Sequence, residues 1–286
     1  MTKVEDKIIN CPGRRIPLTG LSNTRDLGGY QTADKRTILP KKLLRSGTLF
    51  NATEEDLRIL TEEYKLGTIV DFRTEVERKQ KPDPEIAGVV NIFNPILDEE
   101  TVGVTFEEKE GEDKDENDAI ASIFNHASDL GGKPTSYLDQ VYESLVTNDY
   151  AVKGYGRFFD HLLEADDRAV LWHCSAGKDR VGIGTALLLT ALGVDRETVI
   201  ADYMKTNDNV AEDAKEVAAA VLEKYGDAKL AECVSALLTV EKEYILHAFA
   251  AMEKRAGSVE AYISEVIGVT PKKQELLKKR FLTETV

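Results

Sequence analysis

The string His173-Cys174-Ser175-Ala176-Gly177-Lys178-Asp179-Arg180 lies between an apolar run and a helix-like run, and it constrains the fold more than any other part of the chain. Ala169 to Trp172 reads as a buried strand, and Val181 to Leu192 reads as a helix that closes with Gly193 just past its end. The segment is therefore a strand, a tight turn and a helix in succession. Such a turn aims backbone N–H groups and the positive end of the helix dipole at one point, which favours a bound anion before any side chain is counted.

Each residue in the turn suits that task. A thiolate is strongly nucleophilic and ionises near neutrality at a helix N-terminus, so Cys174 is the candidate nucleophile. Arg180 can grip two phosphate oxygens with its planar fork. Ser175 and Ala176 contribute loop amides, and Gly177 permits a turn that a Cβ would obstruct. His173 is expected to orient the loop backbone and the thiolate rather than to act as a base. Lys178 is expected to add a second positive charge at the rim and to favour heavily phosphorylated substrates. Taken singly, a cysteine after an apolar strand is a small buried hydrophobe, and a Lys-Asp-Arg cluster is a solvated turn. The preceding strand, the following helix, the histidine and the internal glycine agree instead on phosphate binding.

The rest of the chain supplies an α/β frame. Asn51 to Asp56 opens a helix with Thr53 as N-cap and acids in the first turn, and Gly67 is expected to follow its end. Strands are expected over Thr68 to Phe72, Val89 to Phe93 and Ala169 to Trp172. Strands separated by helices predict a central, largely parallel sheet flanked by helices, with the ligand site at the strands' C-terminal edge. Cys174 and Asp71 both fall there. Beyond Gly193 the chain reads as a helical C-terminal extension, with helices over Glu197 to Thr206, Val210 to Tyr225, Val240 to Lys254 and Lys272 to Arg280. Residues 98–134 read as an acidic surface insertion around the charge run Glu107 to Glu116, within one domain spanning 1–286. A solvated loop is the ordinary reading, and a lid anchored by Ile120, Ile123 and Phe124 is the alternative.

Charge and cysteine usage exclude several function classes. Lys+Arg of 37 against Asp+Glu of 51 gives a net charge of -14, which argues against nucleic-acid binding and adhesion to anionic membranes. Any basic patch must be local, around Lys178, Arg180 and Arg25. Cys11, Cys174 and Cys233 are widely spaced and odd in number, so they suggest neither a disulfide framework nor a zinc site. No metal or other cofactor is expected. Met1 to Gly13 shows no secretory pattern, and Val181 to Val194, the longest apolar stretch, is too short to span a bilayer. A cytoplasmic protein with no stable membrane insertion is expected, with export left open if a leader has been removed.

The loop resembles that of cysteine-dependent protein tyrosine phosphatases. Its Ala-Gly-Lys-Asp-Arg centre resembles a bacterial tyrosine and lipid phosphatase family that includes secreted enzymes of mycobacteria and Listeria. Three more segments extend the likeness: Asn23 to Tyr30 with its Arg-Asp-Leu-Gly-Gly run, Leu44 to Gly47, and Val70 to Glu77 with its Asp-x-Arg-Thr-x-x-Glu run. Asp202 to Asn207 resembles the family's continuation after the loop. The resemblance implies a tyrosine phosphatase fold, Cys174 as nucleophile, Arg180 as phosphate clamp and Asp179 as general acid. Asp71 is the second candidate acid, although pairing with Arg73 or capping of the next helix is its ordinary reading. No Trp-Pro-Asp segment is seen. One position departs from the family: the residue after the loop arginine is normally Ser or Thr, whose hydroxyl assists the sulfur, and here it is Val181.

The function expected is that of a phosphomonoester hydrolase acting through a cysteinyl-phosphate. Its substrates would be phosphotyrosine proteins or phosphorylated small molecules and lipids, with phosphoinositides and phosphoserine or phosphothreonine open, and its product inorganic phosphate. The alternatives are a phosphate-binding protein with weak or lost turnover, motivated by Val181, and a sulfur-transferring rhodanese, which the loop sequence argues against.

Overall fold

The computed structural model describes residues 11–98, 127–128 and 134–284. Its frame is one sheet in the order β1-β2-β3-β6-β4-β5. These strands are β1 (Arg14–Arg15), β2 (Arg25–Asp26), β3 (Leu43–Ser46), β4 (Leu66–Asp71), β5 (Val90–Phe93) and β6 (Ala169–His173). β3, β6, β4 and β5 run parallel, and the short ribbon of β1 and β2 continues the sheet antiparallel beyond β3. The expected parallel core is present, with a mixed edge. β6 pairs with β3 and β4 so that Ser46, His173 and Asp71 stand in one row at the C-terminal edge. Everything that follows β6 therefore emerges between the ends of two neighbouring strands.

Alternation along the strands fills two cores. Val70, Val170 and Trp172 point into the larger, helix-covered core with Phe72, Tyr155, Phe158 and Leu187. Leu44, Ile69, Ala169 and Leu171 point into the smaller one with Ile16, Leu49 and Leu60.

The first helices are α1 (Glu54–Arg58), ending in a π turn over Ile59–Glu63, and α2 (Glu75–Gln80). Thr53 caps α1 as expected, in a reciprocal box with Asp56. The expected stop at Gly67 is displaced: the chain reverses through Lys65, at φ 54, and Gly67 lies inside β4. A Cβ there would meet the Arg168 side chain at 2.7 Å, so the glycine answers a close approach and not a helix end. Ahead of β6 come α3 (Pro134–Thr147) and α4 (Asp149–Glu164), helices that the sequence pattern had not marked.

After the loop, α5 (Asp179–Leu192) ends at Gly193 with φ 93, as the sequence predicts. It is followed by α6 (Arg196–Met204), α7 (Asn207–Tyr225), α8 (Ala228–Leu238) and α9 (Lys242–Ala256). A short helix over Val259–Ala261 and a π turn lead to α10 (Pro271–Phe281). α8 is an addition to the expected set. The charge run Glu107 to Glu116 and the anchors Ile120, Ile123 and Phe124 lie outside the described residues. Among the described residues no helix is long and apolar enough to cross a membrane.

Candidate active site

The turn between β6 and α5 is held from behind by its carbonyl groups. Thr48 N donates to Ser175 O (2.8 Å), and Asn23 Nδ2 to Ala176 O (3.3 Å) and Gly177 O (2.9 Å). Arg45 Nη2 also donates to Gly177 O, at 2.8 Å. In a trans peptide the C=O and the next N–H point in opposite directions. Tying these carbonyls outward therefore turns the N–H groups of Ala176, Gly177 and Lys178 toward the other side, where an anion would sit. Gly177 has φ +69, and a Cβ there would lie 2.4 Å from Ser46 O, so no other residue fits without shifting β3.

Cys174 is buried at the first position past β6, and Arg180 is buried in the first turn of α5. Both guanidinium ends of Arg180 are taken by one carboxylate: Nη1 meets Glu77 Oε2 at 2.7 Å, and Nη2 meets Oε1 at 2.8 Å. Ser175 Oγ donates to the same Oε1 at 2.7 Å. Glu77 is fixed in turn by α2, where Thr74 N donates to Glu77 Oε2 and Thr74 Oγ1 accepts from Glu77 N. Burial pushes the Glu77 carboxyl up, but the Arg180 charge and hydrogen bonds outweigh it and hold the group down at about 2. Arg180, despite its burial, is held above its usual range mainly by Glu77. A permanently charged fork with a fixed plane results, as two-pronged phosphate binding requires. Tyr155 Oη completes the support by donating to Arg180 O at 3.0 Å.

Asp179 opens α5 with its side chain 22% exposed. Tyr142 Oη, on α3, donates to Asp179 Oδ1 at 2.6 Å, and Tyr203 Oη, on α6, donates to Tyr142 Oη at 2.5 Å. Lys178 is not the free rim charge expected from sequence. It is buried, and its Nζ donates to Leu237 O at the end of α8 (2.8 Å) and pairs with the Asp179 carboxylate (3.2 Å). The α8 carbonyls left open at a helix C-terminus attract this ammonium inward. Arg25 is likewise displaced from the expected surface patch: it is buried behind the loop against Asp202, at 2.5 Å.

Asp71 stands at the expected strand end, but its carboxylate is already engaged. Arg73 donates to it through N (3.0 Å), Nε (2.9 Å) and Nη2 (2.8 Å), with the whole group buried. Thr74, not Asp71, caps α2. His173 links this corner to the loop, with Nδ1 3.2 Å from Cys174 O and Nε2 3.0 Å from Asp83 Oδ2. Burial works to lower the His173 pKa, but the carboxylates of Asp71 and Asp83 outweigh it and raise the value above 6.5. Asp71, Asp83 and His173 are close enough to share a cation. Arg73 already takes that place, 2.8 Å from Asp71 and 3.0 Å from Asp83, so the donor set is neutralised from within.

Sequence reasoning assigned no role to Glu77, Tyr142, Asp83, Arg45 or Asp202. Glu77 had a readable local signal, the Thr-x-x-Glu box at the start of α2, and Arg45 and Asp202 fall in segments that carry the family resemblance.

A strand-end cysteine, an arginine across the loop locked by a buried glutamate, and inward amides make an arrangement able to hold a phosphate beside a thiol. The sequence profile of the tyrosine phosphatase family matches residues 16–283, and the chain belongs to that family. A Cupriavidus necator protein that carries the name of a tyrosine-protein phosphatase is 28% identical over 254 residues, covering 87% of this chain and 82% of its own. The triple specificity protein phosphatase PtpB of Mycobacterium tuberculosis is 25% identical over 268 residues, covering 87% of this chain and 92% of its own. A tyrosine-protein phosphatase of Nostoc commune is 31% identical over 93 residues, 32% of each chain.

Proposed function

We propose that this tyrosine phosphatase hydrolyses phosphomonoesters through a cysteinyl-phosphate on Cys174. The Cys174 thiolate attacks phosphorus, an S–P bond forms, and the P–O bond to the leaving group breaks. Asp179 delivers a proton to the departing oxygen. Water then attacks the phosphoenzyme, Asp179 takes back a proton, and inorganic phosphate leaves as the thiolate is restored. Arg180 and the amides of Ser175, Ala176, Gly177 and Lys178 hold the equatorial oxygens in both steps. His173 fixes the Cys174 carbonyl and so the direction of the sulfur. The observation that carries the reading is Arg180 held doubly by Glu77 beside the turned-out carbonyls of the loop.

Phosphotyrosine is the substrate class favoured. The case for heavily charged headgroups rested on Lys178 as a free cation, and its Nζ is bound to Leu237 O. The M. tuberculosis relative is named for triple specificity, which keeps phosphoserine, phosphothreonine and phosphoinositides within the test. Steady-state hydrolysis of a phosphotyrosine peptide, a phosphoserine peptide and a phosphoinositide should give the highest kcat/KM for the first. No turnover of any of the three would refute the proposed chemistry, and equal turnover would refute the preference.

A further inference from the structure

Behind the phosphate loop lies a buried charge cluster that the chemistry above does not use. Arg45 sits on β3 opposite Trp172 of β6, and Arg25 sits beside it on β2. Asp202, on α6, accepts from both: Arg45 Nη1 at 2.9 Å and Arg25 Nη1 at 2.5 Å. Tyr30 Oη is a third donor residue to this carboxylate, at 2.9 Å, and Lys205 Nζ reaches Tyr30 Oη at 3.3 Å. Two buried guanidiniums and a half-buried ammonium thus face one carboxylate. The Nε groups of Arg25 and Arg45 have no hydrogen-bond partner among the described residues.

A tether between α6 and the sheet would need one arginine for one aspartate. Burying a second cation carries a desolvation cost of several kcal/mol, which a purely structural link does not explain. The surplus charge is aimed at the loop, because Arg45 Nη2 donates to Gly177 O at 2.8 Å. Burial first and the neighbouring Arg25 charge second pull the Arg45 pKa down to about 10, while the Asp202 carboxylate holds it up, so it stays protonated near neutrality. A buried cation held against the loop that carries Cys174 favours an anion there.

We propose that Arg45 is a positioning residue of the phosphate loop: its buried cation orients the Gly177–Lys178 peptide inward and supplies a fixed positive field at the loop that carries Cys174. The inference rests on Cys174 being the nucleophile. Other charged and titratable groups surround the loop: Arg180 and Asp179 from α5, Lys178 of the loop, Glu77 of α2 against Arg180, Tyr155 of α4 against Arg180 O, and His173 with Asp71 and Asp83 at the strand ends. The test must therefore change the rear cluster alone.

The measurement is the pH dependence of Cys174 alkylation by iodoacetamide in the intact protein, with peptide mass mapping to separate it from Cys11 and Cys233. Arg45→Met should raise the thiol pKa by about one unit, roughly tenfold less thiolate at pH values below it. Asp202→Asn should lower it, and Arg45→Lys should stay close to the native value. Opposite shifts are something a merely structural cluster would not produce. Shifts in the same direction, or none, would overturn the proposal. If Arg45→Met does not fold, Asp202→Asn decides: a lowered pKa supports the field, and an unchanged or raised one overturns it. Failure of the nucleophile assignment is read separately, as turnover retained by Cys174→Ser.

Discussion

Two aspartates flank the phosphate loop, Asp71 at the end of β4 and Asp179 at the start of α5, and their surroundings prepare them for different work. Asp71 is fully buried and its two oxygens are closed by the Arg73 fork. A proton placed on it would leave the buried Arg73 guanidinium with Asp83 as its remaining close counter-charge. Asp179 keeps part of its side chain in solvent; its carboxylate accepts from Tyr142 Oη at 2.6 Å and pairs at 3.2 Å with Lys178, an ammonium anchored more closely on Leu237 O. Holding the carboxyl still while leaving it reachable is what a group that exchanges a proton with substrate needs. The comparison teaches that position at the sheet edge does not identify an acid. What matters is whether the carboxylate is fully buried under a two-pronged guanidinium or keeps an exposed side.

The largest effect should come from Asp179→Asn. It is expected to slow hydrolysis of a phosphotyrosine peptide by about 10²–10⁴-fold, the usual size of general acid–base assistance, and to slow an activated aryl phosphate far less. Steady-state rates on the two substrates check this. If Asp71→Asn shows the leaving-group dependence and Asp179→Asn does not, the assignment is reversed.

Asp71→Asn should act on stability. Breaking a buried ion pair costs about 3–5 kcal/mol, so denaturant midpoints should fall while the ratio of rates on poor and good leaving groups stays native. Its pH signature follows from His173. A histidine whose folded pKa is raised contributes stability that is complete below about 6.5 and fades as the pH rises through the folded value. Removing the Asp71 charge should flatten that fall, measured as Tm against pH from 5 upward, with the flattening absent if Asp71 does not face His173.

A smaller effect is expected from Tyr142→Phe, which deletes the donor to Asp179 and leaves the ring in place. Loss of a hydrogen bond to a charged group is about 1.5–3 kcal/mol, or roughly tenfold to a hundredfold on the poor leaving group. Equal losses on both substrates would show that the tyrosine supports the fold and not the acid.

Smallest of the four is Val181→Thr. Val181 is fully buried at the position where the family resemblance implies a hydroxyl assisting the sulfur. If that absence slows phosphoenzyme breakdown, the native protein should release a burst of leaving group near one equivalent, and the threonine variant should raise the steady-state rate by up to about tenfold. An unchanged rate and burst in a folded variant would mean that Val181 has no mechanistic weight. That result would also remove the motive for reading the chain as a phosphate binder with lost turnover.

How much of this was legible in the sequence depends on the range of each interaction. The strand, turn and helix around Cys174, the Thr53 cap and the Gly193 stop are local, and local chemistry announces them. Asp71 with Arg73 was also within reach, since an Asp-x-Arg at a strand end lets both side chains meet on one face. The partners of Arg180, Lys178 and Arg25 were not. Glu77, the carbonyl of Leu237 and Asp202 come from distant parts of the chain, and a charged residue's sequence neighbours do not say which distant carboxylate or helix end will neutralise it. Reading Lys178 and Arg25 as a surface patch failed for that reason. Burial inverted their roles.

The central claim is that phosphate passes through Cys174. Rapid mixing with a phosphotyrosine peptide, an acid quench within one turnover and peptide mass mapping would test it directly. One phosphoryl group on Cys174 in the native protein, and neither label nor turnover in Cys174→Ser, is the predicted result; phosphate carried on another residue, or hydrolysis that continues in Cys174→Ser, would contradict it.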